Sequence, residues 1–365
     1  MKFKIALLIL LTLSITFIGV AQESLLPISA FNIRQLRSVL HIDFADHQTD
    51  AGRIENGWLA LSPDGRRMTT MNRDYDVVVW SDDGTVTDRY GITGMEGMLT
   101  TIIDQAFSAD ASLLASIHSE GSAYSIAVHS FERGKTLAAH FDSPDVPFRI
   151  WINEGIWFEV APLDDKPRYV RQISLPAEAD FTSSTSTWTP SVLTELPSGP
   201  ENDETAFLRV GRIVPPFAVT STQDLDVKRW NLQTAEVTAS ARLPQLPGMG
   251  QLTPDGRYFA WRDGESSALH RLDFETGEDK VVAPLDGTYI PFLLISKDGD
   301  VIISVQSGMR PVIDAWIVET GEHISLGEYR FCNRQPDVVR INRAGTTLVI
   351  GCDTGLDVWR IVPVS

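Results

Sequence analysis

Short runs of alternating apolar and polar residues, separated by compact turns, recur along most of the chain. One recurring unit is a strand that ends in a Ser/Thr-Pro-Asp-Gly turn and then restarts, as at 61–66 and 252–257. Related turns lie at 107–110, 295–299 and 341–345. Proline presets the first turn dihedral and glycine accepts a positive φ. Each of these segments therefore predicts a hairpin between two short strands.

A second recurring unit is an alternating strand that closes on a large residue and is followed by a polar turn, as at 77–80 and 313–316. The closing positions of seven such strands lie about 42 to 57 residues apart. They are Trp80, His129, Ile173, Trp230, Leu272, Trp316 and Trp359. A period of about 40 to 45 residues with four short strands per repeat is typical of a β-propeller. The sequence thus predicts an all-β fold, a seven-bladed β-propeller with four antiparallel strands per blade, as one domain over 36–365.

The longest interval between closing positions contains a Ser/Thr/Pro-rich stretch at 181–205, which we interpret as a loop insertion. After it, the first strands of the fourth blade must come from 207–220. Pro215 and Pro216 interrupt that segment and predict an edge or a bulge there. Eight of the nine tryptophans fall in predicted strands and are interpreted as core. Trp188 lies inside the insertion, and its role, in the core or in ligand stacking, is not assigned from the sequence.

The last blade lacks a fourth strand, because only residues 360–365 follow Trp359. The segment 38–44, which precedes the first blade, alternates polar and apolar residues. We expect it to be the outer strand of the last blade, so that the N-terminal strand closes the ring.

The beginning of the chain carries Lys2 and Lys4, an apolar run over 5–20 and small residues at 19–21. This pattern is typical of a secretory signal peptide over 1–21, here followed by an N-terminal linker over 22–35. We therefore expect a secreted or periplasmic protein with no membrane span after signal removal. The alternative is a protein tethered by an uncleaved signal anchor, since the run just reaches the lower limit for crossing a bilayer.

The net charge indicates which classes of partner are disfavoured, and the cysteines indicate the redox state of the compartment. The chain has 31 basic and 48 acidic residues, a net charge of −17, which disfavours nucleic acid as a partner. The two cysteines, Cys332 and Cys352, flank the inner two strands of the last blade, where both loops are expected on the same face. A disulfide between them is consistent with an oxidising compartment. Two unpaired thiols are the alternative.

Aspartates stand six residues before three of the closing tryptophans: Asp74 before Trp80, Asp224 before Trp230, and Asp353 before Trp359. In this spacing the chain resembles the WD-repeat family, with the looser pattern of exported bacterial propellers. The resemblance implies a propeller fold and a structural role for these turn aspartates in a hydrogen-bonded network. No repeat opens with the family's Gly-His dipeptide.

The sequence carries none of the common motifs for metal binding, nucleophilic catalysis or phosphate binding. The seven histidines form no His-x-His pair and no His-Glu-x-x-His helix, so no metal is expected. The chain has no Gly-x-Ser-x-Gly nucleophile elbow and no phosphate-binding glycine-rich loop, so no cofactor is expected.

These observations favour a non-catalytic exported scaffold, a monomer that binds a protein or peptide partner. One alternative is a propeller-fold enzyme, a lactonase-like or lyase-like hydrolase with its site at the axial channel; another is a structural envelope component. A cluster of acidic or histidine side chains at the channel mouth would indicate the enzyme. We place the binding site on the face that carries the loops between second and third strands and between blades, where loops of all blades converge. The predicted binding residues are Arg73, Tyr75, His118, Glu120, Arg262, Glu265 and Arg310.

Overall fold

The computed structural model contains seven four-stranded antiparallel sheets arranged as the blades of a propeller. It describes residues 25–47, 59–71, 76–91, 101–120, 123–143, 145–161, 169–184, 186–197, 213–214, 216–221, 224–234, 236–245, 247–263, 268–285, 290–306, 312–328, 332 and 336–363. Within each of the first six blades the strands are neighbours in chain order, from the axis outwards. The seven-bladed fold and the four strands per blade are therefore confirmed.

The strands of the first three blades alternate with short turns. Blade one comprises β2 (Ala60–Leu61), β3 (Arg67–Met71), β4 (Val77–Ser81) and β5 (Val86–Tyr90). Blade two comprises β6 (Thr101–Phe107), β7 (Leu113–Glu120), β8 (Ala123–Ser130) and β9 (Lys135–Phe141). Blade three comprises β10 (Val146–Ile152), β11 (Ile156–Ala161), β12 (Tyr169–Ile173) and β13 (Val192–Pro197).

The remaining blades repeat this order. Blade four comprises β14 (Ile213–Val214), β15 (Phe217–Ser221), β16 (Asp226–Asn231) and β17 (Glu236–Arg242). Blade five comprises β18 (Pro247–Leu252), β19 (Tyr258–Asp263), β20 (Leu269–Asp273) and β21 (Asp279–Ala283). Blade six comprises β22 (Phe292–Ile295), β23 (Val301–Val305), β24 (Val312–Ile317) and β25 (Glu322–Glu328). Every closing position predicted from the repeat lies in the third strand of its blade.

Blade seven joins the two ends of the described chain in one sheet. It comprises β26 (Val338–Ile341), β27 (Thr347–Cys352), β28 (Gly355–Ile361) and, on the outside, β1 (Leu36–Asp43). The register runs from Leu36 opposite Ile361 to Asp43 opposite Gly355. The predicted closure by an N-terminal strand is confirmed. Two 3-10 helices, Ile33–Gln35 and Phe44–His47, flank β1.

Large apolar side chains fill the space between neighbouring blades. Trp80, Trp157 and Trp261 are among the largest fully buried residues. Such flat rings bury much area between stacked sheets, which fits the core role expected for them. Trp151 and Trp230 are partly buried.

The loop insertion predicted at 181–205 contains regular structure. A short helix, Glu178–Thr182, buries Phe181, and Trp188 is buried as well. The backbone of Trp188 donates to the carbonyl of Ala138 in β9, 3.2 Å away, so this segment packs against the outer strand of blade two. Beyond it, β13 supplies the fourth strand of blade three, while 198–205 lie outside the described residues. In blade four, Pro216 lies in the turn that follows the edge strand β14, and Pro215 lies outside the described residues.

The two ends of the propeller carry different loops. We call the end with the loops between second and third strands and between blades the upper face, and the other end the lower face. At the lower face, side chains of one blade donate to the carbonyl of a positive-φ turn residue of the next blade. These contacts are Arg67 to Ala111, Arg229 to Gly256, Arg271 to Gly299 and Arg360 to Gly65. At the junction of blades six and seven the backbone N–H of Ile28 donates to Gly345 instead.

Candidate functional site

The structure describes the predicted upper-face site in part. Outside the described residues lie Arg73, Asp74, Tyr75, Glu265 and Arg310, so their binding and structural roles stay predictions. Of the other predicted binding residues, Glu120 ends β7 opposite Ala123, and Arg262 lies in β19 opposite Leu269. Glu120 belongs to blade two and Arg262 to blade five, which are not neighbours in the ring.

The exposure expected for His118 is wrong. His118 lies in β7 with 1% of its surface exposed, and its Nε2 is 2.7 Å from the Ser116 Oγ. Burial lowers the pKa of His118 to about 3, so the ring is neutral at physiological pH. A buried neutral ring in the sheet cannot contact a partner at the surface. His118 instead satisfies the Ser116 hydroxyl in the core.

Two of the third-strand tryptophans donate hydrogen bonds to threonines of the second strand. Asp224 and Asp353 are exposed at their turns. The Trp80 indole donates to the Thr70 Oγ1 at 2.8 Å, and the Trp230 indole to the Thr220 Oγ1 at 2.9 Å. In both blades the threonine stands ten residues before the tryptophan, on the second strand. Sequence reasoning missed this Thr-Trp spacing, which is visible in the chain.

A covalent cross-link secures one upper-face loop. The sulfurs of Cys332 and Cys352 are 2.13 Å apart, at disulfide distance, and their Cα atoms are 5.8 Å apart. Cys352 ends β27, and Cys332 precedes β26 at the same end of the blade. The bond therefore ties the segment between blades six and seven to the loop that follows β27.

An axial channel runs between the first strands of the blades and encloses about 660 Å³. All seven blades contribute to its wall. The charged residues that line it are Asp104, Arg149, Lys297, Asp337, Arg340 and Arg343. Among the described residues the lining includes no histidine.

The charges inside the channel are interlinked. The Asp104 Oδ2 accepts the backbone N–H of Ile150 at 3.1 Å, which joins blade two to blade three. Burial raises the pKa of Asp104, and the positive charge of Arg340 opposes this shift. The Arg149 guanidinium lies 3.7 Å from the Glu159 Oε2, on the neighbouring strand. These contacts hold Asp104 in the channel wall and pair Arg149 with a buried carboxylate that lies outside the lining.

Neither a metal-binding cluster nor a membrane-spanning helix occurs in the described part of the chain. No group of three or more His, Cys, Asp and Glu side chains in that part of the chain could hold a metal ion. No helix within the same residues is long and apolar enough to cross a membrane.

Comparison with known proteins identifies the fold. No family model matches the chain, and no curated protein matches its sequence. Solved structures do match. One is the "Crystal structure of Myceliophteria thermophila Cps50 (Swd1) beta-propeller domain", with a TM-score of 0.60 and 13% identity over 90% of this chain and 100% of that chain. Another is a chain of the "Crystal Structure of Mitotic Checkpoint Complex", with a TM-score of 0.60 and 13% identity over 90% of this chain and 95% of that chain.

Proposed function

We propose that this protein is a non-catalytic scaffold that binds a protein or peptide partner through its upper face. The observation that carries the proposal is the closed ring, in which seven four-stranded sheets hold the upper-face loops around one axis. Binding residues concentrate on loops that a rigid scaffold positions. The disulfide between Cys332 and Cys352 fixes one of these loops further, which lowers the entropy lost when a partner orders it.

The composition of the channel supports a scaffold over the alternative of a propeller enzyme. A hydrolase of that kind would present carboxylates or histidines towards the axis. The described lining has the carboxylates Asp104 and Asp337, and Asp104 is held by a backbone N–H of the next blade. This arrangement fits wall structure better than proton transfer.

The remaining features of the proposal rest on the sequence and on the similar structures. The mitotic checkpoint complex is, by its own description, an assembly, which accords with a protein as partner. The basic and apolar pattern of residues 1–21 supports export to the periplasm or the medium. The alternative is a protein anchored by an uncleaved signal. We expect the exported protein to act as a monomer.

The test compares two triple variants in partner capture. The first replaces Arg73, Tyr75 and Arg310 with alanine on the upper face. The control likewise replaces one aromatic and two basic residues with alanine, at Phe31, Arg133 and Lys280 near the lower face. We expect the purified, identified partner to bind the first variant about tenfold or more weakly, because Arg and aromatic anchors carry most binding energy. The control should bind as the unmodified protein does.

Melting temperatures separate a lost contact from a lost fold. Both variants should melt at the temperature of the unmodified protein. In the control, Phe31 and Arg133 are exposed, and the surface ion pairs of Arg133 and Lys280 contribute little to stability. Equal affinity of the upper-face variant and the unmodified protein would exclude the proposed face. Equal weakening in both variants would indicate a general charge effect and would also contradict the proposal.

A further inference from the structure

The lower mouth of the channel carries an uneven charge. In blade three the second residue of the turn between the first and second strands is Glu154, which lies outside the channel lining. In five other blades the residue at this position lines the channel: Pro63, Ala109, Pro254, Lys297 and Arg343. Only Lys297 and Arg343 in this set are charged, and they belong to the neighbouring blades six and seven. Their turns touch, since a Cβ at Gly345 would lie 3.0 Å from the Lys297 Cβ.

The acidic residues of the same turns are directed back into the turns. The Asp64 Oδ1 accepts the Ser62 hydroxyl at 2.6 Å and the Arg66 N–H at 3.1 Å. The corresponding bonds in other blades are made by Asp110, Asp255 and Asp298. None of these four carboxylates is part of the channel lining. In these turns, the charged side chains that line the lower mouth are therefore those of Lys297 and Arg343.

Lys297 and Arg343 are exposed, and neither side chain has a hydrogen-bond or ion-pair partner among the described residues. Deeper in the channel, Arg340 and Arg149 add two more cations. The described lining thus has four basic and two acidic residues, whereas the chain has 31 basic and 48 acidic residues. Glu159 and Asp104 offset part of the charge of Arg149 and Arg340, so the excess of positive charge is carried mainly by Lys297 and Arg343. An excess of positive charge between low-dielectric walls raises the local concentration of anions.

The wall offers apolar surface and unsatisfied amides as well as charge. Trp151, Phe292 and Ile341 line the channel. The Gln105 Nε2 and the Gln251 Oε1 are buried without a hydrogen-bond partner, and Gln105 is 5% exposed. A buried amide group without a hydrogen-bond partner is destabilising, so a polar group in the channel is expected to satisfy it. The volume of about 660 Å³ suits a small organic molecule.

We infer that the axial channel binds a small organic anion, with its carboxylate or phosphate group between Lys297 and Arg343 and its apolar body against the channel wall. The ligand enters at the lower mouth. This site is separate from the upper-face partner site, so either can exist without the other.

The experiment titrates the full chain with phenyl phosphate and with benzoate by isothermal calorimetry, and with benzyl alcohol as the neutral analogue. We expect saturable one-site binding of at least one anion and none of the alcohol; the two anions distinguish a phosphate from a carboxylate ligand. The double variant Lys297→Gln with Arg343→Gln should bind the anion about tenfold or more weakly, because it loses two charged contacts. The control, Arg133→Gln with Lys280→Gln, removes the same charge away from the channel and should retain the affinity.

A blocking experiment locates the ligand. Ala109 is exposed at the lower mouth, and Ala109→Cys provides a thiol there while Cys332 and Cys352 stay paired. Labelling with a bulky maleimide should abolish anion binding, whereas S-methylation should leave it unchanged. The inference is overturned if neither anion saturates, if both double variants weaken binding equally, or if the bulky label has no effect.

Discussion

The closing strand β1 offers the sharpest test of how the ring is held together. Its Leu36 is fully buried and its Ile42 is 3% exposed, whereas Val39 in the same strand is 44% exposed. Replacing a buried Leu or Ile with Ala removes transfer free energy and leaves a cavity, at a cost of about 2–5 kcal/mol. Folded domains have a free energy of unfolding of only about 5–15 kcal/mol. Leu36→Ala and Ile42→Ala should therefore each remove a large part of that free energy.

The matched control is Val39→Ala, which truncates an outward side chain of the same strand and should change stability by no more than about 0.5 kcal/mol. Urea unfolding followed by tryptophan fluorescence and circular dichroism gives the free energy of unfolding for each variant. A deletion of residues 36–46 is the stronger perturbation and should lower the unfolding midpoint and broaden the transition. If Leu36→Ala and Ile42→Ala resemble Val39→Ala, or if the deletion leaves the melting temperature unchanged, β1 does not close the ring.

Three further predictions concern the cross-link, the turns and the pH dependence. Replacing Cys332 and Cys352 with alanine opens a loop of sequence separation 20 and should cost about 3 kcal/mol in urea unfolding on the chain-entropy account; two free thiols in unreduced protein by mass spectrometry would contradict this bond. Gly65→Ala should destabilise more than Gly277→Ala, because both have φ near +72° but a Cβ at Gly65 would lie 2.3 Å from a threonine hydroxyl while Gly277 faces open space; equal losses in thermal melts would show that backbone strain alone matters. Burial and a neighbouring aspartate raise the pKa of Asp300 to about 6, so its contribution is fully present below about pH 4 and is lost as the pH rises through 6. Asp300→Asn should therefore flatten stability against pH between about 4 and 6, and an unchanged slope would refute that assignment.

The fold could be predicted from the sequence because turn residues and repeat spacing are local features of the chain. The turns around Asp64 and Asp255 were predicted from proline, aspartate and glycine, and their hydroxyl-to-carboxylate bonds hold the same turns in the structure. The third-strand positions followed from the repeat, because a propeller blade cannot bury its faces without neighbours at a fixed spacing. The pairing of β1 with β28 followed from counting strands.

The sequence did not predict the direction of individual side chains or the contacts between blades. His118 lies near the end of a strand, where exposure was expected, yet its ring turns into the sheet towards Ser116. The buried Trp188 and the helix 178–182 escaped detection because their apolar residues are few and stand among serines and threonines. The cations at the lower mouth could not be recognised, since Lys297 and Arg343 are adjacent only through the contact of two blades.

The position of β1 in blade seven also affects how the chain folds during synthesis. β1, the first strand within the described residues, pairs with β28, which is made about 310 residues later. At a synthesis rate of about 5–20 residues per second, β1 waits roughly 15 to 60 s for its partner. An unpaired apolar strand invites association with other chains. The polar and charged side chains of Arg37, Ser38, His41 and Asp43 lie among the few buried positions of β1, and they keep this waiting strand compatible with water.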